Sequence, residues 1–241
     1  MIKNRLIFYS ICFLFFCENS ICIALEFTKD ETEMFLRFEK EVAQIPNIEG
    51  RINNLKSEFN DEKPNVSFLS KYPTGITSRQ LFSNPAISEY LKKYPVTNSE
   101  VAQLELGKIY IGLKQYENAI IILKLLVEKC SEKYKFTEGV PYLRHFERPE
   151  VEASILIILC YKKIGSDDKY FEEAQKFLDH YPKRNDSFWL QKELVRDFCV
   201  SNLHTRARDS IKRRLSLSDS KLEKEYLNSE LNRIKKFIDQ E

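Results

Sequence analysis

The residues with the best-defined chemistry in this chain are three histidines, His145, His180 and His204, and six cysteines. A cysteine beside a histidine, with a third group orienting the ring, makes a nucleophile. Closely spaced His and Cys hold zinc. Cys199 and His204 come nearest to the first arrangement, but no third group or flanking motif accompanies them. Cys199 also falls inside a helical stretch, so it reads as a core or half-buried thiol. No histidine has ligand spacing to another histidine or to a cysteine. The chain has no phosphate loop, no glycine-rich dinucleotide turn and no serine elbow. The residue types therefore point to recognition rather than reaction: no catalytic residue, no metal and no cofactor.

The first 24 residues set the compartment. Lys3 and Arg5 precede an uncharged apolar run, Leu6 to Cys17, and Cys22-Ile23-Ala24 is a small-x-small site. That is the layout of a secretory signal peptide. A membrane-spanning helix needs about 20 apolar residues, and Glu18 and Asn19 interrupt this run too early. A lipid anchor would require cleavage before a cysteine, and bulky Phe16 stands immediately before Cys17. The expected product is an exported chain of residues 25–241, located in the periplasm or cell envelope. Losing Lys3, Arg5 and Glu18 lowers the formal charge from +2 to +1, a balance that calls for no nucleic acid. Cys130, Cys160 and Cys199 remain. Three thiols allow three pairings, and as an odd set they form no disulfide framework.

Helices must position whatever recognises a partner. Glycine occurs six times, never after Gly165, and proline is absent from 96–140 and from 183 onward. Apolar residues recur at helical spacing, and Thr28, Thr97 and Ser220 each precede a glutamate by three, the capping-box pattern. The fold class is all-α. A helical piece is expected over 29–60 with a break at Ile45-Pro46-Asn47. Loops with one short helix near 86–93 are expected between Pro64 and Pro95, and helical hairpins follow from 98.

The stretch LGKIYIGLKQYENAI carries Leu106, Gly107, Tyr110 and Ala119, and Leu123 follows. A glycine within a helix costs about 1 kcal/mol against alanine, so a close crossing of two helices is expected at Gly107, against Ala119, with Tyr110 over the joint. This pattern resembles the tetratricopeptide repeat (TPR), a 34-residue helical hairpin. A second copy has Tyr161, a turn at Ile164-Gly165, Ala174 and Leu178; it reads as carrying about four extra residues in its turn. A third has Leu194, Phe198, Asn202 as turn residue, Ala207 and Ile211. Tyr94-Pro95 and Tyr181-Pro182 each close a helix. The style is similar to TPR proteins of the bacterial cell envelope, including the lipoproteins of β-barrel assembly.

The resemblance implies a TPR-like solenoid. Residues 25–97 form an N-terminal helical and irregular segment. Repeats occupy 98–214, at about 98–131, 150–182 and 187–214. Residues 215–241 form a capping helix with Leu222, Tyr226, Leu227, Leu231, Ile234, Phe237 and Ile238 on one side, the alternative being a partner-binding helix. Carried over from the family, the groove positions include Lys108, Ile111, Leu159, Lys163, Trp189, Lys192 and Arg196. An apolar groove with cations would hold a carboxylate or an acidic peptide.

Two other surfaces compete. The 131–149 stretch holds Tyr134, Phe136, Tyr142, Arg144 and Phe146, residue types enriched at interfaces; alternatively, these aromatics fold back over the second repeat. Arg206, Arg208, Lys212, Arg213 and Arg214 form a charge cluster, by default a solvated helix face, otherwise a contact for anionic lipid. The function expected is a non-catalytic adaptor that binds and stabilises another envelope protein. The alternative is a component docked on the machinery that assembles outer-membrane proteins, lipid-anchored or not. The oligomeric state is open.

Overall fold

The computed structural model describes residues 29–65, 95–133, 148–182 and 185–239. The leader, the helix expected near 86–93 and the aromatic loop residues Tyr134, Phe136, Tyr142, Arg144 and Phe146 lie outside the described residues. Among those described the fold is all-helical: α1 (Lys29–Ala43), α2 (Ile48–Ser57), a 3-10 turn η1 (Glu58–Asn60), α3 (Asn98–Gly112), α4 (Tyr116–Lys133), α5 (Pro149–Lys163), α6 (Asp167–His180), α7 (Asn185–Val200), α8 (His204–Leu217) and α9 (Lys221–Ile238).

Local chemistry starts and stops these helices. Asn47 caps α2, its side chain accepting from Gly50 N at 2.9 Å. Thr97 and Glu100 form a complete capping box on α3. Ser220 accepts from Glu223 N at the start of α9. Asn65 N donates to Val96 O and Asn98 N to Lys63 O, at 2.7 and 2.9 Å, which ties the chain after η1 to the head of α3.

From 98 onward the helices pair through three turns of identical form. Three residues separate α3 from α4, α5 from α6 and α7 from α8, and the middle one has positive φ: Lys114 at 61°, Gly165 at 69°, Asn202 at 56°. In each, the next residue's N–H reaches back to an aromatic residue's carbonyl: Gln115 to Tyr110 (2.8 Å), Ser166 to Tyr161 (3.0 Å) and Leu203 to Phe198 (2.8 Å). The shorter bonds, Lys114 to Ile111, Gly165 to Lys162 and Asn202 to Cys199, complete a Schellman cap in every case. Gly165 and Asn202 stand where the sequence places them; Lys114 carried no signal.

This register corrects the second hairpin. Its turn has no extra residues. Counted from the positive-φ residue, Tyr170 takes the place of Ala119 and Ala207, and Ala174 that of Leu123 and Ile211. Tyr170 is 1 % exposed and Ala174 fully buried, so large and small have exchanged places along α6. The place of Gly107 is taken by Ile158, also buried. Gly107 itself faces Leu123 rather than the expected Ala119: a Cβ there would lie 2.4 Å from Leu123 Cδ2.

From α2 onward each helix packs on its chain neighbour; α1 packs on α3, and α3 also lies against α5. The core runs continuously through the hairpins, with Leu104, Leu123, Leu126, Leu156, Ile158 and Leu194 at 2 % exposure or less. The end helix α9 buries less than its sequence pattern implies. Leu227 and Ile234 are fully buried, but Leu222 is 79 % and Phe237 46 % exposed, because only one narrow stripe faces α8.

Two outcomes follow. A left-handed conformation costs an L-residue about 1–2 kcal/mol, so Lys114→Gly should raise the urea-unfolding free energy by about 1 kcal/mol, while Gly165→Ala lowers it by a similar amount. Gly107→Ala should destabilise the wild type by about 1–3 kcal/mol through overpacking, less the helix gain. In a Leu123→Ala background the same change should be neutral or stabilising.

Candidate functional site

The densest constellation of charged and polar groups is internal. Lys162, at the end of α5, has a side chain with 0 % exposure, and its Nζ lies 3.4 Å from Glu31 Oε2 on α1 and 3.3 Å from Asp197 Oδ2 on α7. The Tyr170 hydroxyl on α6 donates to the same Asp197 oxygen at 2.6 Å. Arg196 donates to the other, Oδ1, from Nε at 3.0 Å and Nη2 at 2.8 Å. Arg196 also holds Glu193 at 2.7 Å. Both oxygens of Asp197 are thus engaged, and the buried ammonium has two carboxylates. Burial, then the Asp197 charge, push the Tyr170 hydroxyl well above its ordinary range.

Helix α1 supplies one of those carboxylates because it lies across the C-terminal ends of α3 and α5. Gly112 makes that possible: a Cβ would sit 2.6 Å from Phe38 O, a backbone atom that cannot rotate away. Phe38 and Phe35 are 2 % and 4 % exposed. Phe35 meets the Tyr116 ring edge-on at 6.0 Å, with the Lys163 ammonium 5.6 Å from its centroid. Lys114 pairs with Glu39 at 3.3 Å.

The groove residues read from sequence therefore divide. Ile111 and Leu159 are 1 % and 3 % exposed core side chains, which removes them from an open binding surface. Lys163 faces α1. Lys108 bridges to Glu152 on α5 at 2.6 Å. Trp189 is half-buried against the core. Lys192 lies over Phe188 and Tyr226, 4.4 and 4.8 Å from their centroids, at the seam with α9. Arg196 belongs to the Asp197 cluster. Lys192 and Arg196 share a helix face but serve different contacts. The packing residues Leu106, Gly107, Tyr110, Ala119, Tyr161, Ala174, Phe198 and Ala207 all sit in or against the core.

Lys162, Asp197, Tyr170 and the docking of α1 were missed as a unit. The available signal was a lysine ending the apolar run SILIILCYK and an aspartate inside LVRDFCV, charges on otherwise buried helix faces.

Two clefts lie on the other side of the hairpins. One of about 500 Å³ between α4, α5 and α6 is lined by Val127, Ile157, Phe177, His180 and Tyr181. One of about 480 Å³ between α6 and α8 has Phe171, Gln175, Phe198, Ser210 and Arg213. Their cations are paired: Lys124 with Glu173 at 2.9 Å, Arg213 with Asp179 at 2.6 Å, Arg206 with Asp168 at 3.6 Å. Arg208 and Arg214 hold Asp209 and Glu223. The basic run on α8 is thereby largely neutralised within the chain.

Among the described residues the thiols of Cys130, Cys160 and Cys199 are unbridged. Burial pushes Cys160 up to about 12, and burial also raises Cys199, the opposite of an activated nucleophile. His204 stacks on Phe237, centroids 5.3 Å apart. Among the described residues no group of three or more His, Cys, Asp or Glu is arranged to hold a metal ion. No helix among them is long and apolar enough to cross a membrane.

No family model, curated protein or solved structure matches the chain. The site is therefore read from its own geometry.

The Tyr170–Asp197 bond has a pH signature. In the unfolded chain the hydroxyl ionises near 10; folded, it keeps its proton to a higher pH. Its contribution is complete below pH 10 and is lost as pH rises toward the folded value. Tyr170→Phe should cost about 1–3 kcal/mol at neutral pH. It should also flatten the decline of stability above pH 10 by about one proton, read from urea titrations at stepped pH.

Proposed function

We propose that this chain is a TPR-like helical-hairpin solenoid that works as a non-catalytic adaptor in the cell envelope, where it grips and stabilises another protein. The observation that carries this reading is the threefold recurrence of one turn. The same cap, with its aromatic residue at the same offset, closes α3, α5 and α7. Helical hairpins that recur in this way cannot bury their faces alone, and stacking them produces an extended surface suited to protein partners.

The side chains support binding over chemistry. The Cys160 and Cys199 thiols are raised rather than activated, and the cations bordering the clefts are neutralised by their neighbours. Recognition then rests on shape and on partly covered aromatics such as Trp189. Export rests on the leader pattern of residues 1–24.

The test is site-directed photo-crosslinking in intact cells. A photoreactive residue at 108 or 192, on the first helices of the hairpins, should give adducts with one envelope protein. A residue at 221, at the start of the end helix, should give none. Deleting the chain should lower the level of the captured protein. Absence of adducts from both groove positions would overturn the adaptor reading.

A further inference from the structure

The docking of α1 has the form of a binding event within one chain. Across fifteen residues α1 is buried along a single stripe: Glu31, Phe35 and Phe38 are covered, with Met34 and Val42 half-buried beside them. Those offsets, 0, 4 and 7, are the anchors of a helix laid in a groove. The integral helix α5 differs, with eleven of its fifteen residues buried. On the outer side α1 leaves Leu36 47 % exposed. Its charge is matched to the seat: α1 carries five acidic and three basic residues, Glu39 and Glu31 pair with Lys114 and Lys162, and Lys163 lies over the Phe35 ring.

The seat is also built to outlast its occupant. Lys162 has one carboxylate from α1, Glu31, and one from the scaffold, Asp197. When α1 leaves, the ammonium keeps Asp197, which Tyr170 and Arg196 hold in place. A lone buried ammonium would collapse the site; this one retains a counter-ion. An incoming helix must then supply what Glu31 supplies, a carboxylate one turn before two aromatic or aliphatic anchors. Helices with a thin buried stripe also open locally at lower cost than the core.

We propose that α1 is the resident occupant of a seat for acidic amphipathic helices, and that a partner's helix of this chemistry displaces it. The inference rests on the adaptor reading and names the partner segment and its control. Unengaged chain holds its own seat shut; a partner helix enters by exchange.

The test uses the full chain and a labelled peptide of residues 29–45 as the probe, followed by fluorescence anisotropy. Wild type should take up the peptide weakly, because its own α1 competes. Phe35→Ala with Phe38→Ala removes the resident's anchors and leaves the seat intact, and should tighten peptide binding at least tenfold. Lys162→Met added to that variant should abolish uptake, and a Glu31→Gln peptide should bind at least tenfold more weakly. A peptide with its charges reversed should not bind. No uptake by a folded double variant, or uptake independent of Glu31 and Lys162, overturns the proposal.

Should the double variant fail to fold, hydrogen exchange on wild type decides. The amides of α1 should exchange at least tenfold faster than those of α5, and equal protection overturns the proposal. Crosslinking to a partner without peptide exchange would defeat this inference alone; exchange without any crosslinked partner would defeat the adaptor reading alone.

Discussion

The arrangement of this molecule turns on a single ammonium removed from water. Lys162 is fully enclosed, and enclosing an unpaired charge costs several kcal/mol. Carboxylates from two distant parts of the chain face it there, Glu31 in α1 and Asp197 in α7. Tyr170 brings α6 to the same point. One side chain therefore fixes how four helices meet. Replacing such a cluster by well-packed apolar groups often leaves stability unchanged or improves it, so its worth here lies in geometry: another placement of α7 would take away the scaffold's own counter-ion, and another placement of α1 would leave the ammonium with Asp197 alone.

Around that point the structure separates what is held by shape from what is held by charge. The hairpins are closed by backbone caps and filled by aliphatic side chains, none of which depends on ionisation. The docking of α1 combines both. Gly112 lets the backbones approach, Phe35 and Phe38 fill the space, and Glu31 sets the register. At the far end, Arg214 and Ser218 converge on Glu223, at 2.5 and 2.8 Å, and so orient α9 after its capping serine.

Much of the local structure was legible in the sequence. The all-α class followed from spacing and from scarce glycine and proline, and the Thr97–Glu100 box, Gly165 and Asn202 each signalled their own conformation because a few adjacent residues determine it. What was not legible depends on residues far apart. Gly107 announced a close approach but not its partner, which is Leu123. The sequence aligned Ala174 with the wrong position, because alanine matched the repeat and Tyr170 did not; the turn geometry, not residue type, settles the register. The groove cations looked alike in sequence. Lys108, Lys163 and Lys192 meet Glu152, Phe35 and Tyr226 according to which helix arrives opposite each one, whereas Arg196 turns to Asp197 and Glu193 on its own helix.

The exchange of bulk between hairpins also bears on how such a chain can change over generations. Glycine at 107 is matched by leucine at 123, whereas isoleucine at 158 stands in register with alanine at 174. Joining the leading half of the first unit to the trailing half of the second would set Gly107 in register with Ala174, two small residues, and leave a void; the third unit carries two branched residues, Val195 and Ile211, at the same places. Splicing at the turns is therefore not neutral despite their identical form: which two halves are joined decides whether the space between them is filled.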